Sequence, residues 1–216
     1  MTQRLIACVQ AMVGPAVAVA AQDPAAPTGT LWPAEAAAMV RARPARLAEF
    51  TSGRVAARAA MAALGLPPAA VPMGPDRAPL WPAGLVGSIS HGGGACLAIL
   101  ARSNEVTALG LDIELDDPLP ADIIDEVLTP TERAGIAHLS ALVQGQHARL
   151  VFAAKEAAYK AIYPRDRTVL GFAAMTVRVA GPDSFAATLS GGEIIAGRYA
   201  RHAGLLVASV VRHPRS

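Results

Sequence analysis

Asp112 and Glu114 stand two residues apart in Gly110-Leu111-Asp112-Ile113-Glu114, a run that is otherwise apolar. In a β-strand successive side chains alternate, so both carboxylates fall on one face, roughly 7 Å apart, with Leu111 and Ile113 on the other. Two such carboxylates raise one another's pKa and take up a proton unless a metal ion or a basic partner compensates them. A second charged cluster, Lys155, Glu156 and Lys160, lies in the alanine-rich stretch from Val151 to Lys160. At helical spacing Glu156 and Lys160 are one turn apart and can simply pair, for about 0.2–0.5 kcal/mol. The other reading makes Glu156 a third carboxylate beside Asp112 and Glu114. That set suits magnesium, a hard ion that takes a few carboxylates together with waters and substrate phosphates. Lys155 and Lys160 would then neutralise those phosphates, and the small alanines would let a bulky ligand approach.

The remaining basic side chains are scattered. Arg46, Arg54 and Arg58 fall off the apolar stripe of a helix, where arginines are either solvated or ligand contacts. Arg77 is the only basic residue in the Pro- and Gly-rich loop from Pro72 to Pro82. His91 opens the turn His91-Gly92-Gly93-Gly94, at a strand end beside exposed amides where a phosphate could be held; a capping or surface histidine is the other reading.

Length and composition bound what these groups can serve. A chain of 216 residues with 53% apolar content can bury a core, as one domain or two small ones. The formal charge of +2 carries no dense basic stripe, which argues against a nucleic-acid binder. The mean hydropathy of +0.37 comes largely from alanine, and no uninterrupted apolar stretch of about 20 residues marks a membrane span. Cys8 and Cys96 lack metal-ligand spacing, so free thiols in a reducing, cytoplasmic compartment are expected. Arg4 followed by Leu5 to Ala21 has the look of a signal peptide, but Gly14 and Pro15 interrupt it. Val17 and Val19 alternating with alanine predict a half-buried first strand instead.

The elements that must position the charged groups follow from punctuation and period. Pro33 and Glu35 open a short helix, and a second runs from Pro44 to Leu64, stopped by Gly65 and Pro67-Pro68. Leu47, Phe50, Ala57, Met61 and Leu64 form its buried stripe. Leu85–Ser90, Ala95–Ala101 and Val106–Leu115 read as strands. After Pro118 helices come first again: Thr129-Pro130-Thr131-Glu132 is a capping box, and a helix from about Gln146 to Tyr163 should end at Pro164. Strands at Gly171–Val179, Phe185–Leu189, Glu193–Arg201 and Leu205–Arg212 close the chain. Helices then strands, twice, predict an α+β fold of two similar halves, 1–116 and 117–216.

These motifs resemble the 4'-phosphopantetheinyl transferases of the Sfp type, and within them the branch containing the enterobactin synthase component D. The resemblance rests on Gly110-Leu-Asp-Ile-Glu114, Phe152-Ala-Ala-Lys-Glu156 with Lys160, and Ser88-Ile-Ser-His91. Arg46-Leu-Ala-Glu-Phe50 with Gly53-Arg54, and the Arg77 loop before Trp81-Pro82, extend it in family order from about Leu31 to Pro164. It implies a pseudo-dimer of α/β halves with the site in the cleft between them. It also implies transfer of the phosphopantetheine arm of coenzyme A to a serine of an apo acyl or peptidyl carrier protein, with release of adenosine 3',5'-bisphosphate. By position, Asp112, Glu114 and Glu156 would hold magnesium on the pyrophosphate. Lys155, His91 and Arg77 would contact the phosphates with Ser90 lining the same pocket, and Arg46 and Arg54 would clamp the 3'-phosphate. Lys160 would serve the leaving side and Glu156 would take the serine proton. The family's residue before the Lys-Glu pair is often polar, whereas Ala153 and Ala154 stand here. The partners implied are coenzyme A and a carrier, with Ile123 to Leu128 as a docking segment, and no nucleic acid or membrane; a monomer is expected. A magnesium-dependent hydrolase of nucleotide pyrophosphates and a non-catalytic coenzyme A or carrier-binding module are the competing readings.

Overall fold

The computed structural model describes residues 2–214 and divides into two compact units. One runs to Leu109 and takes in the residues from Val211, and the other is Gly110–Val210.

In the first unit, helix α1 (Thr2–Val13) brings Leu5, Val9 and Val13 onto one buried face by their four-residue spacing, and α1 lies against strand β1 (Ala18–Gln22). Gly14, at φ +79°, ends the helix, and Gln10 Nε2 donates to the carbonyls of Gly14 and Val17 at 2.7 and 2.9 Å. The signal-like stretch is therefore a helix up to Val13, and the strand expected around Val19 is present. It is buried on both faces rather than half-buried, because α1 and α3 (Pro44–Ala63) both lie against it. β1 pairs antiparallel with β3 (Ala95–Arg102), which pairs antiparallel with β2 (Leu85–Gly92). Ala18, Ala20, Ala98 and Leu100 meet Ala56, Ala57, Ala60 and Met61 of α3 in the core.

Gly93 and Gly94, at φ +55° and +75°, make the two-residue hairpin turn that needs a positive φ at both positions. His91 consequently lies within the β2 ladder, opposite Cys96, and not in the turn where the glycine run puts it. The stripe predicted for α3 is also broader: Leu47 is exposed, while Thr51 to Arg54 are buried in succession. Arg58, expected to be solvated or a ligand contact, is a core residue. Its Nη1 donates to both oxygens of Glu35 at 2.7 and 2.6 Å, and its Nη2 to the Thr30 carbonyl at 2.6 Å. Glu35, in the short helix α2 (Pro33–Ala36), is fully buried and also accepts the Trp32 and Val71 amides.

Neither cysteine is bridged, and burial pushes the Cys96 thiol up to about 12. The thiolate is the nucleophile in alkylation. Iodoacetamide at pH 8 should therefore leave Cys96 unmodified in the native protein and label it only after denaturation, as read by peptide mass spectrometry.

The second unit carries a five-stranded sheet in the order β4-β8-β7-β6-β5. Strands β5 (Met175–Val179), β6 (Ser184–Leu189), β7 (Ile194–His202) and β8 (Leu205–Arg212) form an antiparallel meander, and β4 (Ala108–Leu115) is its edge strand beside β8. Asp112 and Glu114 thus belong with the second unit, whereas the sequence boundary at 116 leaves them in the first half. Between β4 and β5 come α4 (Ala121–Val127), α5 (Pro130–Ile136) and α6 (Ala141–Asp166). The capping box forms: Thr129 Oγ1 accepts from the Glu132 amide and the Thr129 amide donates to Glu132 Oε2. α6 is longer at both ends than predicted. Pro164 does not stop it, since the helix has only two residues still to run and the one amide bond a proline forfeits is lost in the last turn. Arg167, at φ +51°, ends it by donating its amide to Tyr163. The whole is α+β, but the helices do not all come first: β1 precedes α2 and α3 in the first unit, and β4 precedes α4 to α6 in the second.

Candidate active site

β4 and α6 meet with almost no side chain between them. A Cβ placed on Gly110 would lie 1.9 Å from the Ala157 carbonyl oxygen and 2.9 Å from the Ala161 nitrogen. Gly110, Asp112 and Glu114 share the strand face turned to α6, so the contact at Gly110 brings the two acids to the helix. The alanines read as room for a ligand are core residues: Ala153, Ala154, Ala157 and Ala158 are wholly buried, and Ala157 is the one at the Gly110 contact.

Two cations of α6 hold the strand acids. Lys160 Nζ donates to Asp112 Oδ1 at 2.6 Å, and Arg149 Nη1 donates to Glu114 Oε2 at 2.9 Å. Arg149, Glu156 and Lys160 stand at i, i+7 and i+11, one face of the helix, where they span roughly 16 Å. Glu156 lies between the two ion pairs along that face and is half-buried. Among the described residues it has no hydrogen-bond or ion-pair partner. Burial raises its pKa, with Lys160 opposing and Asp112 adding. Glu114 is raised by burial first and by Asp112 second, against Arg149 and Lys160. The three carboxylates therefore share one electrostatic neighbourhood. No three His, Cys, Asp or Glu side chains among the described residues already stand together as a metal group. The donor set itself fits a hard divalent ion, because Glu156 and the Oε1 atom of Glu114 both lack a partner among the described residues.

Lys155 departs most from expectation. It is 1% exposed, and its ammonium donates to Glu132 Oε2 at 2.8 Å, the Val127 carbonyl at 2.8 Å and the Phe172 carbonyl at 3.0 Å. An ammonium has three N–H groups, so none is left for a phosphate. The cause is helical phase: one residue further along, a side chain turns by about 100°, so Lys155 faces the buried Glu132 while Glu156 faces β4. Glu132 is equally engaged, accepting the Val177 amide at 2.5 Å through its other oxygen. Beside Glu156 lies a cavity of about 150 Å³, lined mainly by Tyr159, Val169, Leu170, Phe172 and Met175.

In the first unit Arg46 and His91 are brought together. Arg46 Nη1 lies 3.0 Å from His91 Nε2 and 3.5 Å from Glu49. Arginine can only donate, so Nε2 is the acceptor side of this contact; the same Nε2 lies 3.6 Å from Glu49 Oε2. Arg54 is buried against Phe50, its guanidinium carbon 3.7 Å from the ring centroid, and its Nε donates to the Val71 carbonyl at 2.9 Å. Burial lowers it to about 10, still charged at neutral pH. Ser90 is buried in the ladder opposite Leu97, and Arg77 is exposed in its loop at φ +67°. Arg149 is the residue that sequence reasoning missed; its spacing of seven from Glu156 was the available signal.

Comparison with known proteins places the chain in a family. Residues 34–101 match the profile of the 4'-phosphopantetheinyl transferase N-terminal domain, and 108–206 that of the 4'-phosphopantetheinyl transferase superfamily. The chain is 40% identical over 198 residues to the 4'-phosphopantetheinyl transferase Svp of Streptomyces mobaraensis, covering 85% of this chain and 79% of that protein. It is 38% identical over 144 residues to the 4'-phosphopantetheinyl transferase PptT of Mycobacterium tuberculosis, covering 66% and 63%. With the enterobactin synthase component D of Escherichia coli the figures are 35% over 134 residues, 61% and 62%, so the match spans somewhat less than two thirds of these last two relatives. The chain belongs to the 4'-phosphopantetheinyl transferase family and is an enzyme of that class.

Proposed function

We propose that the protein transfers the 4'-phosphopantetheine moiety of coenzyme A to a serine of an apo carrier protein, in a magnesium-dependent reaction that releases adenosine 3',5'-bisphosphate. The observation that carries this reading is Glu156, a half-buried carboxylate with no partner among the described residues, set along α6 between two ion-paired acids and beside a cavity. Asp112, Glu114 and Glu156 would hold the ion. When bound, magnesium offsets charge on the pyrophosphate and on the departing phosphate.

The chain's own residues do the rest. The serine oxygen attacks the phosphorus that bears the pantetheine arm, and the bond from that phosphorus to the bridging oxygen breaks. The serine proton passes to Glu156, directly or through a water. Lys160, anchored on Asp112, serves the leaving side. Arg46 and Arg54 bind the 3'-phosphate, for which a guanidinium fork has the right geometry; Arg54, stacked on Phe50, uses only its Nε in a hydrogen bond among the described residues. Arg77, His91 and Ser90 complete the phosphate contacts. The cavity beside Glu156, apolar apart from Tyr159, Lys155 and Glu156 itself, suits the uncharged pantetheine arm.

The carrier would belong to a peptide, polyketide or siderophore synthase, the last in line with the name of the enterobactin relatives. It would dock at α4, where Ile123 is exposed. Among the described residues no helix is long and apolar enough to cross a membrane; two unbridged cysteines fit a reducing compartment such as the cytoplasm, and the enzyme is proposed to act as a monomer. The test is to incubate the protein with coenzyme A, magnesium and several apo carriers, and to weigh the carriers. A gain of one phosphopantetheine is expected. No gain on any carrier sinks the reading, and coenzyme A hydrolysis without a carrier would replace it with the hydrolase.

A further inference from the structure

Arg149 uses two edges of its guanidinium on two different parts of the chain. Nη1 donates to Glu114 Oε2 at 2.9 Å, at the end of β4, and Nε donates to the Asp117 carbonyl at 3.1 Å, in the loop that follows. The side chain is only 16% exposed, so this is not a loose surface pair. The consequence falls on Glu114: one oxygen is tied to a side chain that is itself tied to the backbone, while Oε1 has no hydrogen-bond partner among the described residues. A carboxylate held in that way can offer its second oxygen in one direction only. A lysine could not reproduce the hold, because an ammonium is a point charge without the planar fork that spans both acceptors.

We propose that Arg149 is the positioning residue of the magnesium centre, fixing Glu114 through Oε2 so that Oε1 is presented to the ion. The inference rests on the magnesium reading above and adds to it a residue outside the ligand set. Groups that hydrogen-bond a ligating carboxylate typically change metal affinity by about 10- to 100-fold when removed. The opposite sign is also physically possible, since a cation on Glu114 could simply compete with the ion, and the sign decides between the two.

The experiment titrates Mn²⁺ into the full chain in the presence of coenzyme A, by calorimetry, for wild type, Arg149→Met and Arg149→Lys, each checked for fold by circular dichroism. Weakening by about 10- to 100-fold is expected for Arg149→Met and a smaller loss for Arg149→Lys, with coenzyme A affinity measured without metal unchanged. Raised metal should restore part of the variants' kcat, which a merely structural defect would not allow. If Arg149→Met binds Mn²⁺ as tightly as wild type, or more tightly, the positioning role is overturned. Should Arg149→Met not fold, the same criterion applies to Arg149→Lys. If wild type shows no saturable Mn²⁺ binding, the magnesium reading itself fails, a result distinct from any difference between variants, and the positioning role falls with it.

Discussion

Gly110→Ala should unfold at a much lower denaturant concentration than wild type, with a loss of more than about 3 kcal/mol, the upper end for overpacking a well-packed interior. The added methyl would sit 1.9 Å from the Ala157 carbonyl oxygen, and the other atoms near it, the Ala157 carbon and the Ala161 nitrogen, are backbone too. No rotamer change relieves a contact between two main chains. Either β4 or α6 must move by on the order of an ångström, out of a core packed at near-crystalline density. That same spacing sets the Lys160–Asp112 contact at 2.6 Å and puts Glu156 beside the strand, so transfer should be lost even where the variant remains folded. Gly135→Ala in α5 is the control: nothing lies within 4 Å of its added methyl, and a helical alanine should stabilise by about 0.5–1 kcal/mol. Equal unfolding midpoints for Gly110→Ala and wild type would show that the two backbones do not touch.

The local placement of the candidate site's acids was legible because its logic is local. The period-two placement of Asp112 and Glu114 gives β4 its acidic face whatever lies opposite, and the Thr129–Glu132 capping box and the positive-φ stop at Gly65 are likewise settled within a few residues. What escaped was long-range. Glu35 and Arg58 are 23 positions apart, as are Glu132 and Lys155, and Glu114 and Arg149 are 35 apart. A buried ion pair leaves no periodic trace, so Arg58 looks like a solvated residue or a ligand contact and Lys155 like a phosphate contact. Helical phase alone separates Lys155 from Glu156, yet which of the two faces the strand depends on where α6 lies over the sheet, which is tertiary information. The N-terminal helix was obscured for another reason: an alanine- and valine-rich run satisfies helix, strand and signal-like patterns at once, and only the burial of Leu5, Val9 and Val13 decides among them.

Glu156→Gln should separate the two things this carboxylate does. With Glu156 as the proposed general base, transfer is expected to fall by about 10²–10⁴-fold, and loss of the proposed metal ligand acts in the same direction. Stability without metal should move the other way. Burial raises the pKa of Glu156 above its ordinary value of 4.5, so between that value and the raised one the native state binds more protons than the unfolded chain. Stability contributed by this group is then present at low pH and lost as pH rises through the native pKa. Above that range wild type carries a charge that its surroundings disfavour, whereas glutamine fills the same space without one. The variant should therefore be the more stable protein at pH 7 in the presence of a chelator, with a flatter dependence of unfolding free energy on pH from 4 to 7, and the advantage should shrink when magnesium and coenzyme A are added. Urea unfolding across that pH range, with and without chelator, measures it. Full activity in Glu156→Gln would remove the residue from the chemistry, and equal or lower stability at pH 7 would mean that the unpartnered carboxylate is not under electrostatic strain. A gain in stability joined to a loss of transfer is the pattern of a group retained for its reaction at the expense of the fold.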